Sequence, residues 1–318
     1  MTLKTALVTG ATGSCGPALV HQLLNAGYNV RTLGRTKPNG ALPADIQHIA
    51  GDINDQAAVK ASVQGVDVVF HLAAMLHIEN PSGDLAQQYQ RINVQGGQTV
   101  ALAAAEAGVK RFIYFSTVKV YGIEQRDPVN ERCAVQPKTM YAESKLQGER
   151  AVCAVDGLET TILRLSVIYG PRLKGSWRRL VRAIQKGIFV PVGNLKNVHS
   201  LTYVDDMAAA AMLTAEHPAA AGQVFNLVGY EAPTLEEILS AIYHALGKSM
   251  PPIRIPASMA KLGIQAADTG FRLIGKQLPF NPEAIDQLVK DEAYSNSSLR
   301  SIGFRPATSL VEGWKQSV

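Results

Sequence analysis

Cysteine is scarce in this sequence. Cys15, Cys133 and Cys153 are the only thiols in 318 residues. They are too few and too scattered for a disulfide framework or a thiolate metal site, so a reducing compartment, by default the cytoplasm, is expected. The seven histidines (His21, His48, His71, His77, His199, His217 and His244) show no ligand spacing, and no metal is expected. No apolar run approaches the roughly 18 residues of a membrane span. The N-terminal MTLKTALVTGATG lacks the apolar core of a secretory leader and runs straight into a strand-turn pattern. Repeats and low-complexity tracts are absent. Charge is sparse, at 18% of residues, and Lys plus Arg exceed Asp plus Glu by only 31 to 26. That bias could suit an anionic ligand, but it is too diffuse for nucleic acid, and no nucleic-acid motif accompanies it. The densest basic stretch is RLKGSWRRLVR, residues 172–182.

What remains is 47% hydrophobic, enough for a large core. Short apolar runs alternate with longer helical patterns. Strands are expected at 5–10, 28–35, 46–52, 66–74, 110–117 and 158–170. Helices are expected at 17–27, 55–62, 85–107 and 140–155. This alternation predicts an α/β fold, a doubly wound parallel sheet of Rossmann type covered on both faces. Residues 1–170 are read as a dinucleotide-binding domain. Residues 171–318 are read as a smaller, irregular substrate-binding region. A strand at 223–229 is expected to rejoin the sheet.

VTGATGSCGPAL sets Gly10, Gly13 and Gly16 between the first strand and the first helix. Glycine admits positive φ and close backbone approach, and a helix N-terminus offers free N–H groups to a pyrophosphate. Gly10, Thr12, Gly13, Ser14, Cys15 and Gly16 are therefore candidate cofactor contacts; the plainer alternative is a turn packed for its own sake. Cys15 also reads as a small buried thiol. The second strand ends in Gly34 and Arg35, with Lys37 close behind, where NAD binders often carry an acid. A guanidinium there suits a 2′-phosphate, so NADP is expected, with NAD the alternative and a solvated Arg35 the plain reading. Asp52 and Ile53 follow the third strand and could meet the adenine. Leu72, Ala73 and Ala74, in HLAA after the fourth strand, would pass close to the cofactor. In MYAESKLQGER, Tyr141 and Lys145 lie four apart on one helical face, as a surface pair or as a proton-transfer pair.

TGATGSCG, HLAA, FSTVKVYG, YAESK, IYGPR (168–172), LTYVDD (201–206) and IGFRPATSLVEGW (302–314), in this order, resemble the extended short-chain dehydrogenases/reductases, the group of the NAD-dependent epimerases and dehydratases. The resemblance spans nearly the whole chain. It implies Tyr141 as general acid/base, with Lys145 holding the nicotinamide ribose and lowering the phenol pKa from its usual value of about 10. Thr117, four residues before the tyrosine of VYG, would orient the substrate oxygen; Ser116 is the runner-up. Asn93 would order the site, and the helices at 85–107 and 140–155 would form a homodimer. The implied reaction is hydride transfer at a secondary alcohol or ketone carbon of a small molecule. Two substrate classes compete. Nucleotide-sugar enzymes typically carry an asparagine where this chain has Val167 and an arginine where it has Val198, whereas NVHSLTYVDD looks like 3β-hydroxysteroid dehydrogenases. Against that, STVKVYG and LKGSWRRLVRAIQKG resemble sugar 4-epimerases and 4-reductases. There Lys174, Arg178, Arg179 and Arg182 could meet a diphosphate or form a solvated face. Met75, Lys119 and Tyr169 fall near strand ends, as rim or packing residues. A non-catalytic dinucleotide sensor is the remaining alternative, with no need for Thr117, Tyr141 and Lys145 together.

Overall fold

Alternation of side chains along each strand sorts the apolar residues onto two faces of one sheet. The computed structural model describes residues 4–37, 40–76, 84–122, 126–229, 232–260, 262–263 and 288–318; His77 lies outside them. Strands β1 (Thr5–Thr9), β2 (Asn29–Gly34), β3 (Gln47–Ala50), β4 (Val68–His71), β5 (Arg111–Thr117) and β6 (Glu159–Leu165) pair in parallel, and β9 (Val224–Leu227) pairs with β6. The order is β3-β2-β1-β4-β5-β6-β9. Leu7, Val69, Phe112 and Tyr114 face helices α2 (Gln56–Val63), α4 (Gly97–Glu106) and α5 (Met140–Cys153), packing on Val59, Val63, Val100 and Val152. Ala6, Val8, Phe70, Ile113 and Phe115 face the other way, onto Leu19, Val20 and Leu23 of α1 (Gly16–Asn25) and Met207 and Ala208 of α7 (Val204–Glu216). Strands covered on both sides carry continuous apolar runs, and β4 and β5 are buried along their full length.

The strand order reverses between β1 and β4. In an open α/β sheet this leaves a crevice at the carboxyl ends of the strands. The glycine turn, HLAA and the FST segment all end there.

Two elements depart from the sequence reading. The single helix expected at 85–107 is three pieces: α3 (Leu85–Tyr89), a π-helical turn (Gln90–Gly96), and α4. The wide turn carries Asn93 into the interior, where it is 1% exposed, and π turns of this kind often sit at functional sites. The strand expected at 158–170 breaks at Ser166, whose N–H donates to the Leu227 carbonyl at 3.1 Å and whose hydroxyl pairs with Thr202 at 2.8 Å. Past the break, β7 (Val167–Tyr169) leaves the main sheet and pairs with β8 (Leu201–Tyr203). The later helices are α6 (Gly175–Gln185), α8 (Leu235–Ala245), α9 (Ser297–Ser301) and α10 (Leu310–Ser317). Trp314 of α10 is fully buried and stacks on Tyr169 at 4.9 Å, so the C-terminal helix shares a core with the sheet.

Candidate active site

The glycine turn is pressed against HLAA. Gly10 has φ of +70°, and a Cβ there would lie 2.7 Å from the Ala73 nitrogen and 2.8 Å from the Leu72 carbonyl carbon. A Cβ on Gly16 would lie 2.1 Å from the Ala11 oxygen. Cys15 precedes α1 without a side-chain cap, leaving N–H groups of the first turn for a ligand. A cleft of about 410 Å³ opens over this turn. Its walls hold Gly10, Thr12, Gly13, Ser14, Cys15, Gly16, Arg35, Asp52, Ile53, Leu72, Ala73, Ala74, Met75, Tyr141 and Lys145. The sequence candidates thus converge, except Asn93, which stands behind the wall, and Thr117, which faces an adjoining cavity. A larger cavity of about 800 Å³, beside α8 and α10, contains none of them.

Asp52 lines the cleft beside Ile53. Burial works against its charge, but hydrogen bonds at 3.0 Å from the Asn54 N–H and side-chain amide, with Arg91 and Arg35 nearby, hold the carboxyl below its ordinary pKa. Arg35 itself is exposed on the rim.

The loop of residues 72–76 is fixed by buried polar groups. Thr9 Oγ1 accepts from the Ala73 N–H at 3.2 Å and pairs with His71 Nδ1 at 3.1 Å. Burial, aided by the charge of Lys145, pushes the His71 pKa down to about 3, so the ring is neutral. Asn93 accepts from the Met75 N–H at 2.8 Å and donates to the Met75 carbonyl at 3.0 Å and to the Ser144 hydroxyl at 2.9 Å. The Tyr89 hydroxyl donates to the Leu76 carbonyl at 3.0 Å.

Thr139 caps α5, accepting from the Ala142 N–H at 3.1 Å, and this helix presents Tyr141 and Lys145. Tyr141 lines both the cleft and a second cavity of about 570 Å³ that also holds Thr117, Ile168, Tyr169 and residues 170–175. The Thr117 hydroxyl is close enough to the phenol to favour its charged form. Its neighbour Ser116 is committed elsewhere, donating to Glu149 at 2.5 Å. That separates the two hydroxyls the sequence left in competition.

The expected acidic phenol is not found. Burial pushes the Tyr141 pKa up to about 12, against the pull of Thr117. Lys145 is driven the other way, to about 7, by burial with Glu149 opposing. Withdrawal from water disfavours both charged forms, and this outweighs the attraction anticipated from the spacing. Lys145 is 1% exposed, its ammonium lies 4.1 Å from the centroid of the Tyr114 ring, and its nitrogen lacks a hydrogen-bond partner among the described residues. A buried, unsatisfied donor on a cleft wall fits a ligand hydroxyl such as a ribose. The glycine seat and this orphan donor together fit a dinucleotide.

Sequence reading missed the support beneath α5. Glu149 accepts from Arg164 at 2.7 and 3.0 Å, both side chains under 10% exposed, and Arg164 also lies over the Tyr121 ring. The available signal was spacing: Glu149 is four residues beyond Lys145 on the same helical face. Lys119 is paired with Glu292. Among the described residues no group of three His, Cys, Asp or Glu could hold a metal, and no helix is long and apolar enough to cross a membrane.

A doubly wound parallel sheet with a glycine turn at its switch point, and a buried Tyr-Lys pair beside it, defines an NAD(P)-binding enzyme of the extended short-chain dehydrogenase/reductase type. A sequence model of the NAD dependent epimerase/dehydratase family matches residues 6–228, and the chain belongs to that family. The chain is similar to UDP-glucose 4-epimerase of Vibrio cholerae, 28% identical over 326 residues, covering 99% of this chain and 94% of the relative. It is similar to 3 beta-hydroxysteroid dehydrogenase/Delta 5-->4-isomerase of Mycobacterium tuberculosis, 29% identical over 330 residues, covering 96% and 86%. Among solved structures it resembles MoeE5 in complex with UDP-glucose and NAD, with TM-score 0.75 and 27% identity, covering 98% and 97%.

Proposed function

We propose that the chain is an NAD-dependent 4-epimerase, or a closely related oxidoreductase, of a nucleotide-linked sugar. The observation that carries this reading is the position of Tyr141, which lines both the cofactor cleft and the adjoining cavity that also holds Thr117. The turn from Gly10 to Gly16 and the N-terminus of α1 hold the pyrophosphate, Asp52 and Ile53 the adenosine, and Lys145 the nicotinamide ribose. When bound there, the dinucleotide would supply a hydride acceptor for the substrate carbon and the donor that returns it. Tyr141 takes the proton of the reacting hydroxyl and gives it back to the ketone oxygen. Its raised pKa keeps the phenol protonated in the free protein; a cation beside the phenol and an ordered Lys145 ammonium lower the cost of the phenolate. Thr117 steers the reacting oxygen toward Tyr141.

Arg35 and Lys37 favour a 2′-phosphate, as in NADP. NAD is nonetheless favoured, because the charge of Arg35 already acts on Asp52 and MoeE5 holds NAD. Comparative affinities for the two cofactors, in wild type and Arg35→Gln, test this. NADP binding tighter than NAD in the wild type, and lost in the variant, would reverse it.

A second reading is a 3β-hydroxysteroid dehydrogenase-like enzyme. It is favoured by Val167 and Val198, apolar where nucleotide-sugar enzymes carry Asn and Arg. Net cofactor reduction by a 3β-hydroxysteroid, with no change in UDP-sugars, would select it. A sensor role has little support, since nothing in cofactor binding alone requires Thr117 beside Tyr141. Leu102 and Met140, 47% and 54% exposed on α4 and α5, support a homodimer through these helices.

A further inference from the structure

The basic stretch at 172–182 has two sides: Val181 is buried and Trp177 half-buried, while Arg172, Lys174, Arg178 and Arg182 are exposed. Trp177 of α6 packs edge-to-face on His199 at 5.8 Å, and Val181 and Ile184 are buried. This turns Arg178 and Arg182, one helical turn apart, toward a recess of about 420 Å³. Arg172 and Lys174 line the same recess, together with Gln185, Ser317 and Val318, whose α-carboxylate is the one acidic group on its lining residues. None of these four cations forms a salt bridge among the described residues. Lys174 is also the cap residue of α6, an 11-residue helix without a side-chain cap, so the positive end of the helix dipole adds to the field.

The loop at 171–174 also lines the cavity that holds Thr117 and Tyr141, where one acid, Asp205, faces it. Lys174 is close enough to the glycine turn to act on the Cys15 thiol. The place where a diphosphate-gripping arginine was expected is Val198, 8% exposed, its N–H donated to Asp291 at 2.8 Å.

We propose that Arg172, Lys174, Arg178 and Arg182 form a phosphate-binding recess taking a di- or monophosphate group. Guanidinium groups at one-turn spacing suit bidentate contacts to two neighbouring phosphates. One source is the diphosphate of the sugar substrate, an assignment that rests on the function proposed above. The other is a separate phosphate-bearing molecule.

The test is calorimetric titration of the NAD-saturated wild-type protein with inorganic pyrophosphate, alongside Arg178→Gln/Arg182→Gln and a control, Arg150→Gln on α5. The expected result is binding that weakens about tenfold or more in the double variant and with added salt, and is unchanged in the control. Equal affinity in wild type and a double variant with unaltered thermal melting would overturn the proposal, as would no binding by the wild type. UDP then separates the sources. Competition between UDP and pyrophosphate, with a raised sugar-nucleotide KM and unchanged kcat in the double variant, assigns the recess to the substrate. Pyrophosphate bound alongside saturating UDP assigns it to a separate ligand. If the double variant loses pyrophosphate while no UDP-sugar is turned over, the recess stands and the proposed substrate falls.

Discussion

Tyr141 and Lys145 carry the chemistry at the scale of single residues, and burial drives their pKa values apart, to about 12 and about 7. Tyr141→Phe removes the proton carrier and little volume. It should lower kcat by about 10²–10⁴-fold and leave cofactor affinity within error, measured by turnover and by cofactor titration. Lys145 makes a prediction about stability. Its ordinary pKa of 10.5 falls to about 7 on folding, so between these values the unfolded chain binds more protons, and stability rises with pH. The penalty is full below about pH 7 and vanishes above the unfolded pKa. In cofactor-free protein, Lys145→Met should therefore melt higher than wild type at neutral pH, with the gap closing as pH rises toward 10.5. A gap independent of pH would show that the ammonium is not desolvated as described. The shared helical face of this pair was legible in the sequence. The direction of the tyrosine shift was not, because spacing reports neighbours and says nothing about water.

Between residues and the whole chain, two elements hold the site together. The first is the turn at Gly10. A side chain there meets the backbone of Leu72 and Ala73 as well as a positive φ. Gly10→Ala should destabilise the protein by at least about 1–2 kcal/mol from conformation alone and abolish dinucleotide binding, read by thermal melting with and without NAD. The second is the Glu149–Arg164 pair that joins α5 to β6. Removing one member strands a buried charge, so Glu149→Ala should cost about 3–5 kcal/mol, measured by chemical unfolding. The glycine motif and the alternation of strands and helices were visible in the sequence because both are local patterns. The break at Ser166 and the π turn at 90–96 were not. Ser166 leaves the strand for partners at Thr202 and Leu227. The turn forms where Gly96 meets Ile53 and Asn93 reaches Met75, contacts distant in sequence.

Across the whole molecule, the sheet order brings the turn, HLAA, Thr117 and α5 to one crevice, while β7, β8, α6 and α10 build the wall facing it. The cofactor should bind the folded chain alone, so the melting temperature should climb with the logarithm of NAD concentration; a melting temperature indifferent to NAD would remove the assigned cleft. The homodimer reading predicts a sedimentation mass near twice 34.1 kDa, reduced toward the monomer by Leu102→Glu. A dimer that persists in this variant would place the interface elsewhere.

The proposed function depends above all on proton exchange through Tyr141 at a sugar carbinol beside bound nicotinamide. It is tested most directly by incubating the NAD-loaded protein with UDP-sugars and resolving the products by chromatography, with Tyr141→Phe run in parallel. The expected result is inversion at a sugar hydroxyl by the wild type with no net cofactor reduction, and none by a variant that still retains NAD. Equal conversion by the variant would contradict it.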